Sequence, residues 1–277
     1  MHKNPTRTAD LMTALGTTMG VANVIMQLTP PEVGYGVLES RVDSGSTFEH
    51  PFKRARTTGQ YLAVAVQGND DDAAYVRDAL RTVHDQVTST PDSPVRYSAN
   101  NPRLQLWVAA CLYRFYVDQY EFMYGPLSVS SADAVYADAA RLGTTLNVQP
   151  DMWPADRAAF EVYWGEQTRE LTIDPPVRDM LVSLADLSFL PRPLGRFGTV
   201  LHRLFGRQQL FMTKGALPEP FRRAMGFDWT AADDIRYRKA IDRYRRIDRV
   251  TPGLLKGYNE VMLAGLRIRR RFGIRVF

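Results

Sequence analysis

The residues with chemical character cluster in one stretch, from Arg54 and Thr58 through Arg81 and His84 to the segment after Asn101. Arg81 and His84 stand one helical turn apart. An imidazole can ligate a single metal centre or trade a proton near neutral pH, and a guanidinium pairs with carboxylates and other oxyanions. The spacing admits two readings. In one, His84 is a core-edge imidazole hydrogen-bonded to a carbonyl; in the other it is a neutral ligand to one metal, with the arginine pairing an acidic group of a cofactor.

Helices must position these groups. Over residues 70–87 the aspartates Asp70, Asp71 and Asp72 suit the positive end of a helix, and Val76, Ala79, Leu80, Val83 and Val87 recur at helical spacing. His84 follows Leu80 by four residues and precedes Val87 by three, so it borders the inward face, with Arg81 along the same side. Residues 89–101 read as a polar, proline-containing connector. Residues 104–124 are apolar on nearly every side, as in a central helix, and carry Tyr113, Phe115, Tyr116, Tyr120, Phe122 and Tyr124. These rings suit either a core or the wall of a flat apolar pocket. Further helices are expected over 11–26, 132–142, 154–170, 176–187, 194–205, 231–247 and 251–271, and no period-two pattern or hairpin signal suggests a sheet.

Composition narrows the chemistry. The single cysteine, Cys111, excludes an internal disulfide, a cysteine zinc site and a four-cysteine iron–sulfur cluster. None of the four histidines (His2, His50, His84, His202) is paired at the spacing of a helical two-histidine site, so a cofactor needing one protein ligand fits best. The aspartate cluster invites comparison with magnesium–diphosphate sites, but Ala73 and Ala74 stand where a carboxylate one turn later would be needed, and capping explains it. The net charge of +5 is concentrated late, from Arg236 to Arg275. Such a run reads as a solvated helix face partly neutralised by Asp233, Asp234, Asp242 and Asp248, or as a contact for anionic lipid headgroups; no nucleic-acid-binding signature accompanies it. The stretch 11–26 lacks a compact signal-peptide core and is too polar for a membrane span, which points to the cytoplasm.

Several short motifs carry a resemblance. They are the run from Arg54 through Thr58, Gly59 and Gln60 to Tyr61, the run from Arg81 through His84 to Val87, Tyr97 to Pro102, and Leu106-Trp107-Val108. An early Gln27 to Pro31 with Gly36, Glu39 and Ser40, then Tyr136, and a late Leu217 to Arg222 with Gly226 and Trp229, extend it over most of the chain. In order and spacing they resemble the family of rubber oxygenase (latex-clearing protein) and the MpaB oxygenase. The resemblance implies an all-α fold, one domain over 1–277, heme b, and the use of dioxygen to cleave a double bond of an apolar, isoprenoid-like substrate. By the same resemblance His84 is the proximal iron ligand, Arg81 its companion, and Arg54 and Thr58 the polar residues facing the heme. Glu39 stands near a distal carboxylate that acts as a base.

The departures from the family pattern shape a second expectation. Ala109 and Pro30 replace histidines found in many members, and Thr57 replaces a lysine that can ligate iron. An iron held by His84 alone, with an open opposite face, is therefore expected. A heme-free, lipid-binding or membrane-associated helical protein is the alternative that the missing histidines favour.

Overall fold

Asn69 and the aspartates after it start the helix that carries His84. The Asn69 side chain accepts from the Asp72 backbone N–H at 2.8 Å, and the Asp72 carboxylate reaches back to the Asn69 N–H, closing a capping box. The computed structural model describes residues 4–42, 48–250 and 252–277.

Among these residues the chain is helical, with thirteen α-helices joined by turns. In order they are α1 (Ala14–Thr18), α2 (Gly20–Gln27), α3 (Pro31–Leu38), α4 (Pro51–Gln67), α5 (Asp70–His84), α6 (Pro102–Tyr124) and α7 (Val129–Thr144). Then follow α8 (Arg157–Thr168), α9 (Pro175–Ala185), α10 (Pro191–Ala216), α11 (Glu219–Ala224), α12 (Ala231–Val250) and α13 (Pro252–Arg271). Only an isolated antiparallel bridge, Thr88 to Ser98, departs from helices and turns among the described residues.

The differences from the sequence expectation have local causes. The expected first helix is broken into a 3-10 turn, α1 and α2, as the threonines and glycines between them weaken helical continuity. α5 stops at His84 instead of reaching Val87, because the Val87 carbonyl turns to accept from the Ala99 N–H beside the bridge. α10 begins earlier and runs longer than expected, with a kink at Gly195 (φ 53°), a left-handed conformation that glycine adopts without strain. The start of the last helix was expected at Thr251, which lies outside the described residues; α13 runs from Pro252.

α6 is the central helix, packed against α1, α2, α7 and α12. Its aromatic side chains serve the core. Tyr113 meets Tyr136, Trp153 and Phe160 edge-on, Phe122 meets Tyr237, and Trp107 forms a three-ring cluster with Trp164 and Phe221.

α4 and α5, the two helices bearing the candidate residues, are adjacent, and α13 packs along α4. The Asp72 carboxylate, 4% exposed, is paired with Arg267 of α13 at 2.7 Å. One aspartate thus caps α5 and ties it to α13. Removing the cation leaves a buried carboxylate unpaired. Arg267 is itself half exposed, so water tempers the loss and Arg267→Ala should cost about 2 kcal/mol. Urea denaturation of the two single variants and of the Asp72→Asn/Arg267→Ala double variant should give a double cost smaller than the sum; strict additivity would show that the pair contributes nothing.

Candidate functional site

His84 is the last residue of α5 and is half-buried. Its imidazole is pushed down to about 4, first by burial and then by the nearby Arg54 guanidinium, with Asp85 acting weakly in the opposite sense. The ring is therefore neutral at physiological pH and keeps a lone pair for a ligand.

Arg54 comes from α4 and approaches the same place. Its side chain is exposed at the surface, and its guanidinium stands near enough for its charge to act on the His84 ring. No carboxylate pairs with it among the described residues. Thr58 stands four residues later on α4, so it shares the Arg54 face, and it too is open to solvent. Thr57 does not join them: it is buried, and its hydroxyl donates to the Arg54 carbonyl at 3.1 Å.

Arg81 lines a narrow crevice together with His84, Arg77, Asn100, Gln105 and Asn147. Its side chain is exposed, and its carbonyl accepts from the Asn100 amide at 3.0 Å. Glu39 ends α3 and is held elsewhere. Its Oε2 accepts from the Ser93 hydroxyl at 2.6 Å and from the Tyr97 hydroxyl at 2.8 Å. No hydrogen bond or ion pair joins Glu39 to Arg54, Thr58 or His84 among the described residues. The structure thus sets His84 and Arg81 on one crevice, places the Arg54 charge near the imidazole with Thr58 on the same face of α4, and anchors Glu39 to the connector.

Gln105 is the residue that sequence reasoning missed. Its Nε2 donates to the Ala99 carbonyl at 2.7 Å, and its Oε1 accepts from the Asn147 N–H at 2.5 Å. Flipping the amide would set donor against donor and acceptor against acceptor, so the orientation is locked. The second Nε2 hydrogen then faces His84 Nδ1 at 3.3 Å, making Nδ1 the acceptor and leaving the ring proton on Nε2. The signal in the sequence is slight: a lone polar side chain, 5% exposed, in an otherwise apolar run.

Among the described residues no three His, Cys, Asp or Glu side chains converge on one metal position, so His84 offers a single imidazole and not one corner of a protein cage. A neutral imidazole whose Nε2 has no partner among the described residues, near a guanidinium that no described carboxylate pairs, is the donor set a heme would use, one nitrogen for iron and one cation for a propionate; the crevice at His84 encloses only about 150 Å³, so its walls would have to part to admit the macrocycle. Ligation through Nε2 requires the proton to move to Nδ1 and the long contact with Gln105 to open, a cost on the order of 1 kcal/mol.

The depressed imidazole has a consequence for stability. An unfolded histidine protonates near pH 6.5, whereas folded His84 stays neutral to about 4, so its contribution is lost as pH falls through that window. Asp118, pushed up to about 7 chiefly by burial, with Glu121 and Glu161 adding to it against Arg114, acts with the opposite sign as pH falls below 7. Comparing the protein with His84→Gln isolates the histidine. Melting curves should show the parent losing more stability than the variant between pH 6.5 and 4; parallel losses would contradict a neutral, buried His84.

The chain matches the family model described as "ER-bound oxygenase mpaB/B'/Rubber oxygenase, catalytic domain" over residues 7–246. It is 50% identical over 256 residues to two uncharacterized proteins, Rv2237 of Mycobacterium tuberculosis and Mb2261 of Mycobacterium bovis, covering 92% of this chain and 98% of each relative. No solved structure matches it. The matched span contains α1 to α11 whole, with Arg54, Thr58, Arg81, His84 and Glu39 all inside it, while α13 lies beyond. The chain belongs to the mpaB and rubber oxygenase catalytic-domain family.

Proposed function

We propose that this protein is a heme-dependent oxygenase that acts with dioxygen on an apolar, isoprenoid-like substrate, built as one domain. The observation that carries this reading is a neutral imidazole under the influence of a guanidinium that no carboxylate pairs among the described residues, within a chain of an oxygenase family. Heme b, when bound, supplies dioxygen activation at its iron. The overall change adds the two oxygen atoms across a carbon–carbon double bond to give two carbonyl groups.

The chain's own residues have distinct tasks in this proposal. His84 holds the iron from the end of α5, and Arg54 takes an anionic edge of the cofactor. Thr58 supplies a hydroxyl donor from the same face of α4, and Arg81 adds positive charge one turn before the ligand. Both hydroxyls on Glu39 bind Oε2, which leaves Oε1 to accept a proton from a reacting group that comes within reach. Thr57 is turned into its own helix and would offer the cofactor no ligand.

A second reading rests on Gln105. With its amide locked, His84 presents an Nε2–H, and two donors, that N–H and the Arg54 guanidinium, suit the carboxylate of a fatty ligand without heme.

Absorption spectroscopy separates the two. Added heme should produce a Soret band at close to one equivalent; His84→Ala should lose or strongly shift it, while His50→Ala and His202→Ala should not. His202 is already committed, with Nδ1 at 2.8 Å from the Asp186 carbonyl. Carbon monoxide should bind the ferrous protein promptly. A colourless protein after heme addition, or an unchanged spectrum in His84→Ala, would overturn the heme assignment.

A further inference from the structure

α10 shows water a face that a helix in a globular protein ordinarily hides. Phe197, Val200 and Leu204 follow one another at i, i+3 and i+7 along its outer side and are 64%, 50% and 67% exposed; Phe205 beside them is 53% exposed. The opposite side is fixed inward. A methyl on Gly198 would fall 2.2 Å from the Leu190 carbonyl oxygen and one on Gly206 would fall 2.3 Å from that of Asp186, which also contacts His202. These close approaches, one turn apart through 198, 202 and 206, leave the helix no freedom to roll its apolar ridge inward.

Charge says what the ridge meets. Between Pro191 and Ala216 there is no aspartate or glutamate, and Arg196, Arg203 and Arg207 form an exposed row along one edge of the ridge. No acidic side chain pairs with any of the three among the described residues. A second copy of the chain packed ridge to ridge would bring two such rows together with no carboxylate on the helix to neutralise them. An anionic bilayer reverses that sign. Arginine stems lie along the apolar ridge while their heads reach lipid phosphates, and the aromatic and aliphatic side chains enter the acyl boundary.

We infer that the outer face of α10 is a membrane-docking surface that lies flat on an anionic lipid bilayer. Among the described residues no helix is long and apolar enough to cross a membrane, so this contact is peripheral. It also differs from the surface suggested by the late arginines. Arg236 pairs with Asp233 and stacks on Phe211, Arg245 holds Asp242 and the Met123 carbonyl, and Arg267 holds Asp72. Those cations are engaged within the fold, whereas the α10 row is not. The start of α10 is joined to the segment entering α4 by the Arg192–Glu49 ion pair and the edge contact of Phe48 with Phe189. Docking on α10 therefore places the helix that carries Arg54 close to the lipid from which an apolar substrate would come.

The test is cosedimentation of the full chain with vesicles of phosphatidylcholine containing phosphatidylglycerol, against vesicles of phosphatidylcholine alone, with neither heme nor substrate added. Binding should favour the anionic vesicles and weaken with salt. Phe197→Ser/Leu204→Ser and Arg203→Glu/Arg207→Glu should each weaken it at least about tenfold, while Arg269→Glu/Arg271→Glu should leave it within about threefold. Because the side chains altered on α10 are exposed, both α10 variants should melt like the parent. Equal binding to both vesicle types, loss of binding only in the Arg269/Arg271 variant, or a parent dimer that the Phe197/Leu204 variant converts to monomer would each overturn the inference. Failure to take up heme would bear on the proposed oxygenase and leave this result untouched.

Discussion

A guanidinium without a carboxylate, set close to an imidazole, constrains the whole site. Arg54 is charged at any physiological pH, and its field adds to burial in holding His84 neutral. A carboxylate beside them would neutralise the arginine and raise the histidine, and with it the proton that competes with a metal for the ring. Among the described residues no carboxylate pairs with Arg54, so its positive charge is left unbalanced near the imidazole. The missing counter-charge is what an anionic ligand or a cofactor propionate would supply.

The surrounding fold can be understood as holding this unbalanced pair in place. α4 and α5 are adjacent, and the short turn between them is set by the Asn69 capping box and by the pull of Asp72 on Arg267. The connector after α5 is strapped down along its length. Ser93 and Tyr97 hold Glu39 at the end of α3, Ser98 bridges to Thr88, and Asn100 donates to Arg81 and Asp85. It leads directly into α6, where Gln105 returns to the histidine. Glu39 and Asp85 are held there by neutral donors, and neither pairs with Arg54 among the described residues.

Parts of this arrangement are legible in the sequence for physical reasons. Helices declare themselves by apolar spacing and by their caps, so the aspartates of α5 and the continuous apolarity of α6 place both elements before any coordinates are seen. The order of short motifs places the family, and the family model covers the same residues. Other features arise only in three dimensions. Gln105 lies 21 residues from His84, and nothing local marks it as a partner. The nearness of Arg54 to His84, the hydroxyls on Glu39 and the use of the α6 aromatics for the core all depend on which helices become neighbours. The exposed ridge of α10 is of the same kind: its periodicity reads as an ordinary buried face, and only the close approach of Gly198 and Gly206 to backbone shows that the apolar side points out.

The central claim is that Arg54 stands near His84 and that the guanidinium helps to keep the imidazole neutral. Titrating His84 by its ring-proton resonances in the parent and in Arg54→Met measures that coupling directly. The account predicts a parent value near 4 that rises in the variant yet stays below the ordinary histidine value, because burial, the larger cause, remains. An identical titration in the two proteins, or a parent His84 that titrates like an exposed histidine, would contradict it.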